Sequence, residues 1–471
     1  MDRIETDLCV IGAGSGGLSV AAGAVQMGAR VVLIEAGEMG GDCLNAGCVP
    51  SKALLAAAKA AHAAQGGSFG VTGSATVDFA AAKDHVAATI AAIAPHDSQA
   101  RFEGLGVRVI RAFGRFTDPQ TLEAGDTRIR ARRFVIATGS RPVIPDIPGI
   151  RSVTPLTNET VFALRERPAH LLILGGGPIG MEMAQAHRRL GCEVTVIEAA
   201  RALGREDPEA AAVVLAALRR EGVTVLEGAG IARLARIGSG IEAVLTDGTT
   251  VTGSHLLVAA GRRVALAGMG LDAAGIAHTD RGITVRADLR STTNARVYAV
   301  GDAAGGAQFT HLAGYHAGIV IRRAVLGLPA RVRDDHIPRV TYTDPELAHV
   351  GPDAEAVERR YGSRAQVLRV DYAQNDRAQA EGRTEGFVKL TVAKGRVVAA
   401  TVVGAQAGEV IAPLALAVAA RMKVSALAGA VLPYPTLAEL GKRAAGAYFS
   451  PKLFDNAALK GWVRLVQRYL P

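Results

Sequence analysis

Two glycine-rich turns with the same surroundings constrain the fold of this chain of 471 residues more than any other feature. The first, GAGSGG at residues 12–17, follows an apolar run, and a second apolar run ends at Glu35. The second, GGGPIG at residues 175–180, also follows an apolar run, and the next such run ends at Glu198. Each glutamate lies 23 residues after the first glycine of its turn. This repetition predicts an internal duplication of one strand–turn–helix–strand unit.

Each position of this pattern suits a bound dinucleotide. The first glycine allows a tight turn, the second lets a pyrophosphate approach the backbone, and the third lets helix and strand pack closely. The helix N-terminus favours the phosphate charge, and the carboxylate accepts hydrogen bonds from a ribose. The predicted binding residues are Gly12, Gly14, Gly17 and Glu35 in the first site and Gly175, Gly177, Gly180 and Glu198 in the second.

The acid of the second site bears on the choice of nicotinamide cofactor. A carboxylate at Glu198 pairs with the 2′-hydroxyl of NAD and repels the 2′-phosphate of NADP. Arg201 and Arg205 follow closely in sequence and could soften this repulsion. We therefore expect NADH, with NADPH left open.

A close pair of cysteines, Cys43 and Cys48, follows the first dinucleotide pattern. Pro50 suits the first turn of a helix, so Cys48 is expected at the positive helix end, where a thiol has a lowered pKa. Lys52 lies four residues on and could share a helix face with Cys48. We expect a redox-active pair; a structural disulfide without catalytic use, and a solvated Lys52, are the alternatives. A zinc site would need two further ligands.

The composition excludes several other classes of protein. Hydrophobic residues make up 49% of the chain and charged residues 21%, which suits a globular protein with a large core. No apolar run reaches the roughly 20 residues that span a bilayer, and the charged N-terminus leads straight into a strand, so we expect a cytoplasmic protein. The net charge is +9, but no basic stretch is interleaved with aromatic residues, so we expect no nucleic-acid partner.

The C-terminal segment 452–471 is basic and amphipathic. It contains Lys452, Lys460, Arg464 and Arg468 against the single acid Asp455. Apolar residues fall on the opposite face of the helix expected there. Contact with an anionic membrane surface is one interpretation, and packing on the protein itself is the other.

With these features in place, the chain resembles the pyridine nucleotide–disulfide oxidoreductases over essentially its whole length, most closely the core of their mercuric reductase branch. The resemblance implies an α/β fold with two Rossmann-like dinucleotide-binding domains, for FAD and NAD, and a C-terminal α/β dimerisation domain. Besides the motifs above, it is carried by Ala137–Ser140, Ala260–Arg262, Val297–Asp302, Gln308–His311 and Tyr342–Glu346.

The resemblance also implies roles for individual residues. Cys48 would lie against the flavin, Cys43 would attack the substrate, and Lys52 and Glu182 would form a buried pair beside the flavin. Asp302 would bind the ribityl chain. Further FAD contacts are expected at Gly114, Thr138, Gly139, Ser140, Gln308, Phe309, Thr310 and His311, and further NAD contacts at Pro178, Ile179 and Gly261.

One position departs from the disulfide-reducing branches of the family. Tyr434 stands where those branches carry a catalytic histidine, with Glu439 where their orienting glutamate lies. A phenol with an ordinary pKa near 10 is a poor proton shuttle at neutral pH. Lipoamide and glutathione disulfide are therefore doubtful substrates. No second cysteine pair lies near the C-terminus, where mercuric reductase carries one.

Several electron acceptors stay open on the sequence alone: a small disulfide, a soft metal ion or another thiol-reactive oxidant. The alternative functions are dihydrolipoamide dehydrogenase, a peripheral membrane NADH:quinone reductase that uses the flavin directly, and a non-enzymatic scaffold that binds lipoyl-bearing complexes. If Tyr434 and Glu439 complete the partner's site, as in the family, the active unit is a homodimer.

The predicted domain boundaries follow from these motifs. Residues 1–150 and 276–335 would form the FAD-binding domain, 151–275 the NAD-binding domain and 336–471 the dimerisation domain. Helices are predicted over Ala53–Ala64 and Val77–Ala94, with a loop over Gly66–Ser74 between them.

Overall fold

The computed structural model describes residues 2–66 and 69–470. Residues 67 and 68 of the predicted loop, and residue 471 of the basic segment, lie outside this part of the chain. The contacts between residues divide the chain into two units. One comprises the chain up to Ala199 together with Leu226–Val332, and the other comprises Ala200–Val225 and the chain from Arg333 onwards.

The secondary structure of the described residues is mixed. The strands are β1 (Asp2–Ile11), β2 (Val31–Ile34), β3 (Arg108–Ile110), β4 (Gly114–Asp118), β5 (Thr121–Ala124), β6 (Thr127–Ile136), β7 (Ser140–Pro142), β8 (His170–Leu174), β9 (Glu193–Glu198), β10 (Thr224–Glu227), β11 (Ile231–Ile237), β12 (Gly240–Leu245), β13 (Thr250–Gly253), β14 (His255–Val258), β15 (Arg262–Val264), β16 (His278–Thr279), β17 (Gly282–Ile283), β18 (Val297–Ala299), β19 (Arg339–Thr341), β20 (Glu346–Val350), β21 (Ala365–Asp371), β22 (Phe387–Ala393) and β23 (Arg396–Gly404).

The helices connect and cover these strands. They are α1 (Ser15–Gln26), α2 (Gly41–Asn45), α3 (Cys48–Gly66), α4 (Phe79–Asp97), α5 (Gln99–Gly104), α6 (Pro178–Arg189), α7 (Pro208–Arg220), α8 (Thr310–Val320), α9 (Ala354–Tyr361), α10 (Asp376–Ala380), α11 (Ala407–Ala419), α12 (Val424–Ala428), α13 (Glu439–Ala447), α14 (Ser450–Phe454) and α15 (Ala457–Tyr469). A short 3₁₀ helix spans Gly301–Ala304.

The first unit is built on a seven-stranded sheet in the order β3-β2-β1-β6-β5-β4, with β18 paired to β6. Side chains of β1 alternate between the two faces of this sheet, as the strand geometry requires. Leu8 and Val10 enter a core shared with α1 and α8, whereas Cys9 and Ile11 enter the core on the other face. Strand β1 therefore lies buried between two layers, with its carboxyl end directed at the first glycine-rich turn.

Both predicted helices after the cysteine pair are present with different ends: the first is longer in both directions, and the second begins two residues later and ends three residues later than predicted. Helix α3 begins at Cys48 itself and continues through Gly66, so the N-terminal part of the predicted loop is helical. Helix α4 begins after Asp78, whose side chain accepts a hydrogen bond from the N–H of Ala81 at 3.0 Å. Such a cap satisfies a backbone donor that has no partner within the helix.

The second glycine-rich turn belongs to a further parallel sheet of the first unit. Strand β8 pairs in parallel with β9 on one side and with β14 on the other. Helix α6 follows the turn, and the antiparallel strands β11-β12-β13 cover the sheet with a shared apolar core. The same strand–turn–helix–strand order thus occurs twice, as the sequence predicts.

The second unit contains the five-stranded antiparallel sheet β19-β20-β23-β22-β21 with helices packed against it. Helix α7 also belongs to this unit, although the predicted NAD-binding domain includes its residues. Its capping residue Asp207 pairs with Lys389 at 2.9 Å, and Arg220 pairs with Glu385 at 2.7 Å. The division of the chain into FAD-binding, NAD-binding and dimerisation domains stays a prediction.

Spanning a bilayer requires a helix that is both long and apolar. Within residues 2–66 and 69–470, no helix is both long enough and apolar enough to cross a membrane.

Candidate active site

The first glycine-rich turn needs two of its glycines for the packing of the chain itself. Gly12 has a φ of +104°, and a Cβ there would overlap the carbonyl oxygen of Ala137. A Cβ on Gly17 would overlap the carbonyl oxygen of Gly12, where α1 crosses the end of β1. Gly14 differs, because its φ is −80° and the nearest atom to an added Cβ would be 3.9 Å away, in Gly41.

The second turn repeats this distinction. Gly175 has a φ of +113°, and a Cβ on Gly180 would overlap the carbonyl oxygen of Gly175. Gly177 has a φ of −75°, and a Cβ there would meet no atom within 4 Å. In both turns, the middle glycine borders space that the chain does not fill. That space fits the pyrophosphate of a dinucleotide at the helix N-terminus.

The two glutamates are held beside these turns by backbone donors. Glu35 accepts hydrogen bonds from the N–H groups of Ala13 and Gly37, both at 2.6 Å. Glu198 accepts one from the N–H of Gly176 at 2.7 Å. The carboxylates are thus fixed at the ends of β2 and β9, where the ribose of a dinucleotide is expected.

Polar atoms near the first turn also fit a bound FAD. Oγ1 of Thr138 is buried and has no hydrogen-bond partner among the described residues. Ser140 donates a hydrogen bond at 2.5 Å to Asp302. Burial raises the pKa of Asp302, against the opposing effect of the Ser140 hydrogen bond. A hydroxyl-rich ligand such as the ribityl chain would supply the missing partners.

The cysteine pair lies at the junction of α2 and α3. Both residues are free thiols in this structure, and Sγ of Cys48 lies 3.3 Å from Oγ1 of Thr310. The hydrogen bond between the two cysteines lowers the pKa of Cys48 to about 6, against the effect of burial, and Thr310 and the charge of Lys52 contribute. The same hydrogen bond, together with burial, raises the pKa of Cys43. The pair is therefore divided into a thiolate at Cys48 and a thiol at Cys43.

Lys52 forms an ion pair with Glu182 inside the first unit. The ammonium of Lys52 on α3 lies 2.7 Å from a carboxylate oxygen of Glu182 on α6. The side chain of Glu182 is only 5% exposed, whereas that of Lys52 is 38% exposed. This pair places a cation one helical turn from Cys48. It also joins α3, which carries Cys48, to α6, which follows the second glycine-rich turn.

A second polar network holds the residue before Cys43. The carboxylate of Asp42 lies 3.2 Å from the guanidinium of Arg262 and accepts a hydrogen bond from Asn158 at 2.9 Å. Arg262 also donates to Oγ and to the carbonyl of Ser140, both at 2.8 Å. Asp42 of helix α2 is thus connected through Arg262 to the Ser140–Asp302 pair. Sequence reasoning missed Asp42 and Asn158, because their contact spans 116 positions.

The other predicted catalytic residues, Tyr434 and Glu439, belong to the second unit. The hydroxyl of Tyr434 donates to the carboxylate of Asp376 at 2.7 Å, which raises the pKa of Tyr434. Oε2 of Glu439 is buried without a hydrogen-bond partner in the described chain. The carboxylate that orients Tyr434 here is therefore Asp376, which no sequence motif indicated.

The remaining residues predicted to contact FAD or NAD lie in turns and at the ends of strands and helices of the first unit. Gly114 begins β4, Gly139 and Gly261 have φ values of +67° and +130°, and Pro178 is the first residue of α6, followed by the exposed Ile179. Gln308 precedes α8, and the rings of Phe309 and His311 stack at 5.2 Å beside Thr310. Their roles towards FAD and NAD stay predictions.

Two glycines of the second turn provide a matched test of the dinucleotide site. Gly177→Ala should leave the melting temperature unchanged and raise the KM for NADH, because only a ligand needs that space. Gly180→Ala should lower the free energy of unfolding by about 1–3 kcal/mol, as overpacking does. Thermal melts and steady-state kinetics on both variants would decide this. Equal destabilisation by the two substitutions would contradict it.

The thiolate at Cys48 can be titrated directly. In the reduced protein, alkylation of Cys48 should rise with a midpoint near pH 6, because only the thiolate reacts and it is lost as the pH falls through that pKa. Thr310→Val should move the midpoint to higher pH, and Thr310→Ser, which keeps the hydroxyl, should not. Mass spectrometry after timed iodoacetamide treatment gives the rates. A wild-type midpoint near the ordinary thiol value would refute the assignment.

Comparison with known families gives two matches. The pattern of the pyridine nucleotide-disulphide oxidoreductases matches residues 6–317. The dimerisation domain of the same family matches residues 337–445. Together these segments include every residue of the site described above.

Individual relatives agree with these matches. The chain is 37% identical over 461 residues to the mercuric reductase of Streptomyces lividans, covering 94% of this chain and 96% of that protein. It is 32% identical over 467 residues to the dihydrolipoyl dehydrogenase of Geobacillus stearothermophilus, covering 94% and 96%. The Cu(II) complex of the HOCl-induced flavoprotein disulfide reductase RclA from Escherichia coli superposes with a TM-score of 0.84 at 27% identity, covering 94% and 99%. The chain therefore belongs to the pyridine nucleotide-disulphide oxidoreductase family and is an FAD-dependent oxidoreductase.

Proposed function

We propose that this enzyme passes electrons from NADH through FAD and the Cys43–Cys48 pair to a thiol-reactive acceptor, and that the acceptor is a soft metal ion. The observation that carries this proposal is the geometry of the pair: two free thiols lie at the junction of α2 and α3, and Sγ of Cys48 is 3.3 Å from the hydroxyl oxygen of Thr310. A soft cation binds thiolate sulfur in preference to oxygen or nitrogen.

The protonation states of the pair suit reduction by one hydride equivalent. Bound FAD would transfer the two electrons that it receives from NADH to the cysteine disulfide. Breaking the disulfide with two electrons and one proton gives a thiol at Cys43 and a thiolate at Cys48. The low pKa of Cys48 removes the need for a second proton. Lys52 stabilises the negative charge on Cys48.

The choice of NADH rests on the acid of the second site. Glu198 is held in place by the N–H of Gly176. A fixed carboxylate there accepts hydrogen bonds from the ribose of NADH and repels the 2′-phosphate of NADPH. We therefore propose NADH as the physiological donor.

The surroundings of Tyr434 argue against a disulfide substrate. Exchange between the pair and a disulfide needs proton transfer to the leaving thiolate. Tyr434 stays protonated because its hydroxyl donates to Asp376, which raises its pKa further above neutrality. Reduction of a metal ion bound by the pair delivers no proton to a leaving group: two electrons pass to the metal, the Cys43–Cys48 disulfide forms again, and the proton of Cys43 leaves to solvent. The names of two relatives, a mercuric reductase and a Cu(II) complex of a disulfide reductase, support the same substrate class.

We also propose that the active unit is a homodimer. The match of residues 337–445 to the family's dimerisation domain supports this. In such a dimer, Tyr434 and Glu439 of one subunit would complete the site at the Cys43–Cys48 pair of the other. Lipoamide stays as the competing substrate, because a dihydrolipoyl dehydrogenase is also among the relatives.

An acceptor panel tests the proposed route. NADH oxidation should be measured with Hg²⁺, Cu²⁺, lipoamide, glutathione disulfide and a soluble quinone, with NADPH as the alternative donor. Cys43→Ala should lower metal-dependent turnover by a factor of about 10³ or more, as loss of a catalytic nucleophile does. Cys9→Ala, at a buried cysteine of β1, is the matched control and should retain turnover. Metal or quinone reduction that survives in Cys43→Ala would make the flavin itself the donor.

The tyrosine can be tested by restoring a titratable base. Tyr434→His should raise kcat/KM for lipoamide about tenfold or more, because general acid–base catalysis contributes 10²–10⁴-fold in comparable sites. Metal-ion reduction should not gain. Tyr434→Phe, which removes the hydroxyl without adding a base, is the control. The same gain with phenylalanine, or no gain with histidine, would show that position 434 does not select the substrate.

A further inference from the structure

Helix α15, which we call the tail helix, exposes an apolar face to solvent. It is a formed helix whose first turn is capped, since the side chain of Asn456 accepts a hydrogen bond from the N–H of Leu459 at 3.0 Å. None of its residues is buried. Trp462 is 61% exposed and Tyr469 is 69% exposed. Large exposed apolar surfaces of this kind mark interaction sites.

The residues of the tail helix separate into two faces. With about 3.6 residues per turn, positions three and four apart share a face. The basic residues follow each other at this spacing on one side, and the apolar residues cover the other. The basic face holds Lys460, Arg464 and Arg468, and the apolar face holds Leu459, Trp462, Val463, Leu465, Val466 and Tyr469.

The charge of this segment identifies what can cover the apolar face. Between residues 450 and 470 the only acid is Asp455, and Lys452 adds a fourth basic residue. A second copy of this helix, packed through the same apolar face, would cover that face and leave the basic face of each helix without a partner. An anionic surface with an apolar interior complements both faces at once.

We propose that the tail helix binds the surface of an anionic lipid bilayer. It would lie parallel to the surface, with Trp462 and Tyr469 at the level of the headgroups and the aliphatic side chains below them. Lys460, Arg464 and Arg468 would reach the lipid phosphates through their flexible stems. A helix of 13 residues is about 20 Å long and cannot span the hydrocarbon core, so the contact is peripheral.

This contact is independent of the electron acceptor. It would place the enzyme at a membrane whether the cysteine pair reduces a metal ion or a disulfide. Loss of binding should therefore leave NADH oxidation with soluble acceptors unchanged, and a failed acceptor assignment would not affect it.

The chain contains a single tryptophan, and it lies on the apolar face of the tail helix. Trp462 fluorescence therefore reports on this face in the full-length holoenzyme. Emission should shift to shorter wavelength with phosphatidylcholine vesicles that contain phosphatidylglycerol, and not with phosphatidylcholine alone. Flotation of the protein with the same vesicles should agree, and about 1 M salt should reverse both, because it reduces the screening length to about 3 Å.

Charge-neutralising variants test whether the basic face of the tail helix is required for lipid binding. The triple variant Lys460→Gln, Arg464→Gln, Arg468→Gln should weaken partitioning on the order of 100-fold, since each basic residue near an anionic surface contributes about fivefold. These positions are exposed, so folding should be retained. The double variant Val463→Ser, Leu465→Ser keeps the tryptophan and should also weaken binding.

The matched control neutralises three exposed basic residues of the same unit: Arg359→Gln, Arg364→Gln, Lys423→Gln. It should bind anionic vesicles nearly as the wild type does. If both triple variants lost vesicle binding equally, the binding would depend only on the net charge of the protein, and the assignment to the tail helix would be wrong. Unchanged fluorescence with anionic vesicles, or a change of oligomeric state in the tail variant without vesicle binding, would assign the apolar face to a second copy and overturn it as well.

Discussion

The backbone contact between the first and third glycine of each turn is the constraint on which the rest of the first unit depends. Because no side chain fits between Gly17 and the carbonyl of Gly12, α1 starts directly over the end of β1. The same contact at Gly180 aligns α6 with β8. Each helix N-terminus is thereby directed at the space beside the middle glycine, and Glu35 or Glu198 closes that space at the end of the next strand.

The reactive pair depends on opposing electrostatic effects that the fold keeps in balance. Burial alone would favour neutral thiols at both cysteines. Their mutual hydrogen bond, with Thr310 and Lys52, gives the negative charge to Cys48 and leaves the proton on Cys43. Asp42 acts against this, because its charge raises the pKa of Cys48, yet its carboxylate is held by Arg262 and Asn158. The network therefore holds helix α2 in place. It also pairs the negative charge of Asp42, which acts against the thiolate at Cys48.

Local sequence patterns were sufficient to predict much of this arrangement. Contacts between residues far apart in the sequence could not be predicted from them. The duplicated strand–turn–helix–strand units follow from the spacing of glycine and apolar residues, the α/β fold class from the family resemblance, and the helices α3 and α4 from local composition. The contacts Asp42–Asn158 and Tyr434–Asp376 join positions 116 and 58 residues apart, and nothing in the local sequence at either end indicates the other. The grouping of α7 with the C-terminal unit has the same origin, because it rests on ion pairs such as Lys389–Asp207 between distant segments.

The ion pair of Lys52 and Glu182 also bears on how freely parts of this chain could be exchanged. Glu182 lies on the helix that opens the second nucleotide-binding region, yet the ammonium 2.7 Å from it comes from the helix that carries Cys48. Residues 151–275 cut out as a separate fragment would lose this cation together with α3, which packs against the helix of Glu182. The second nucleotide-binding region therefore depends on α3 for this pair, and a chimaera that replaces the region must supply a carboxylate opposite Lys52.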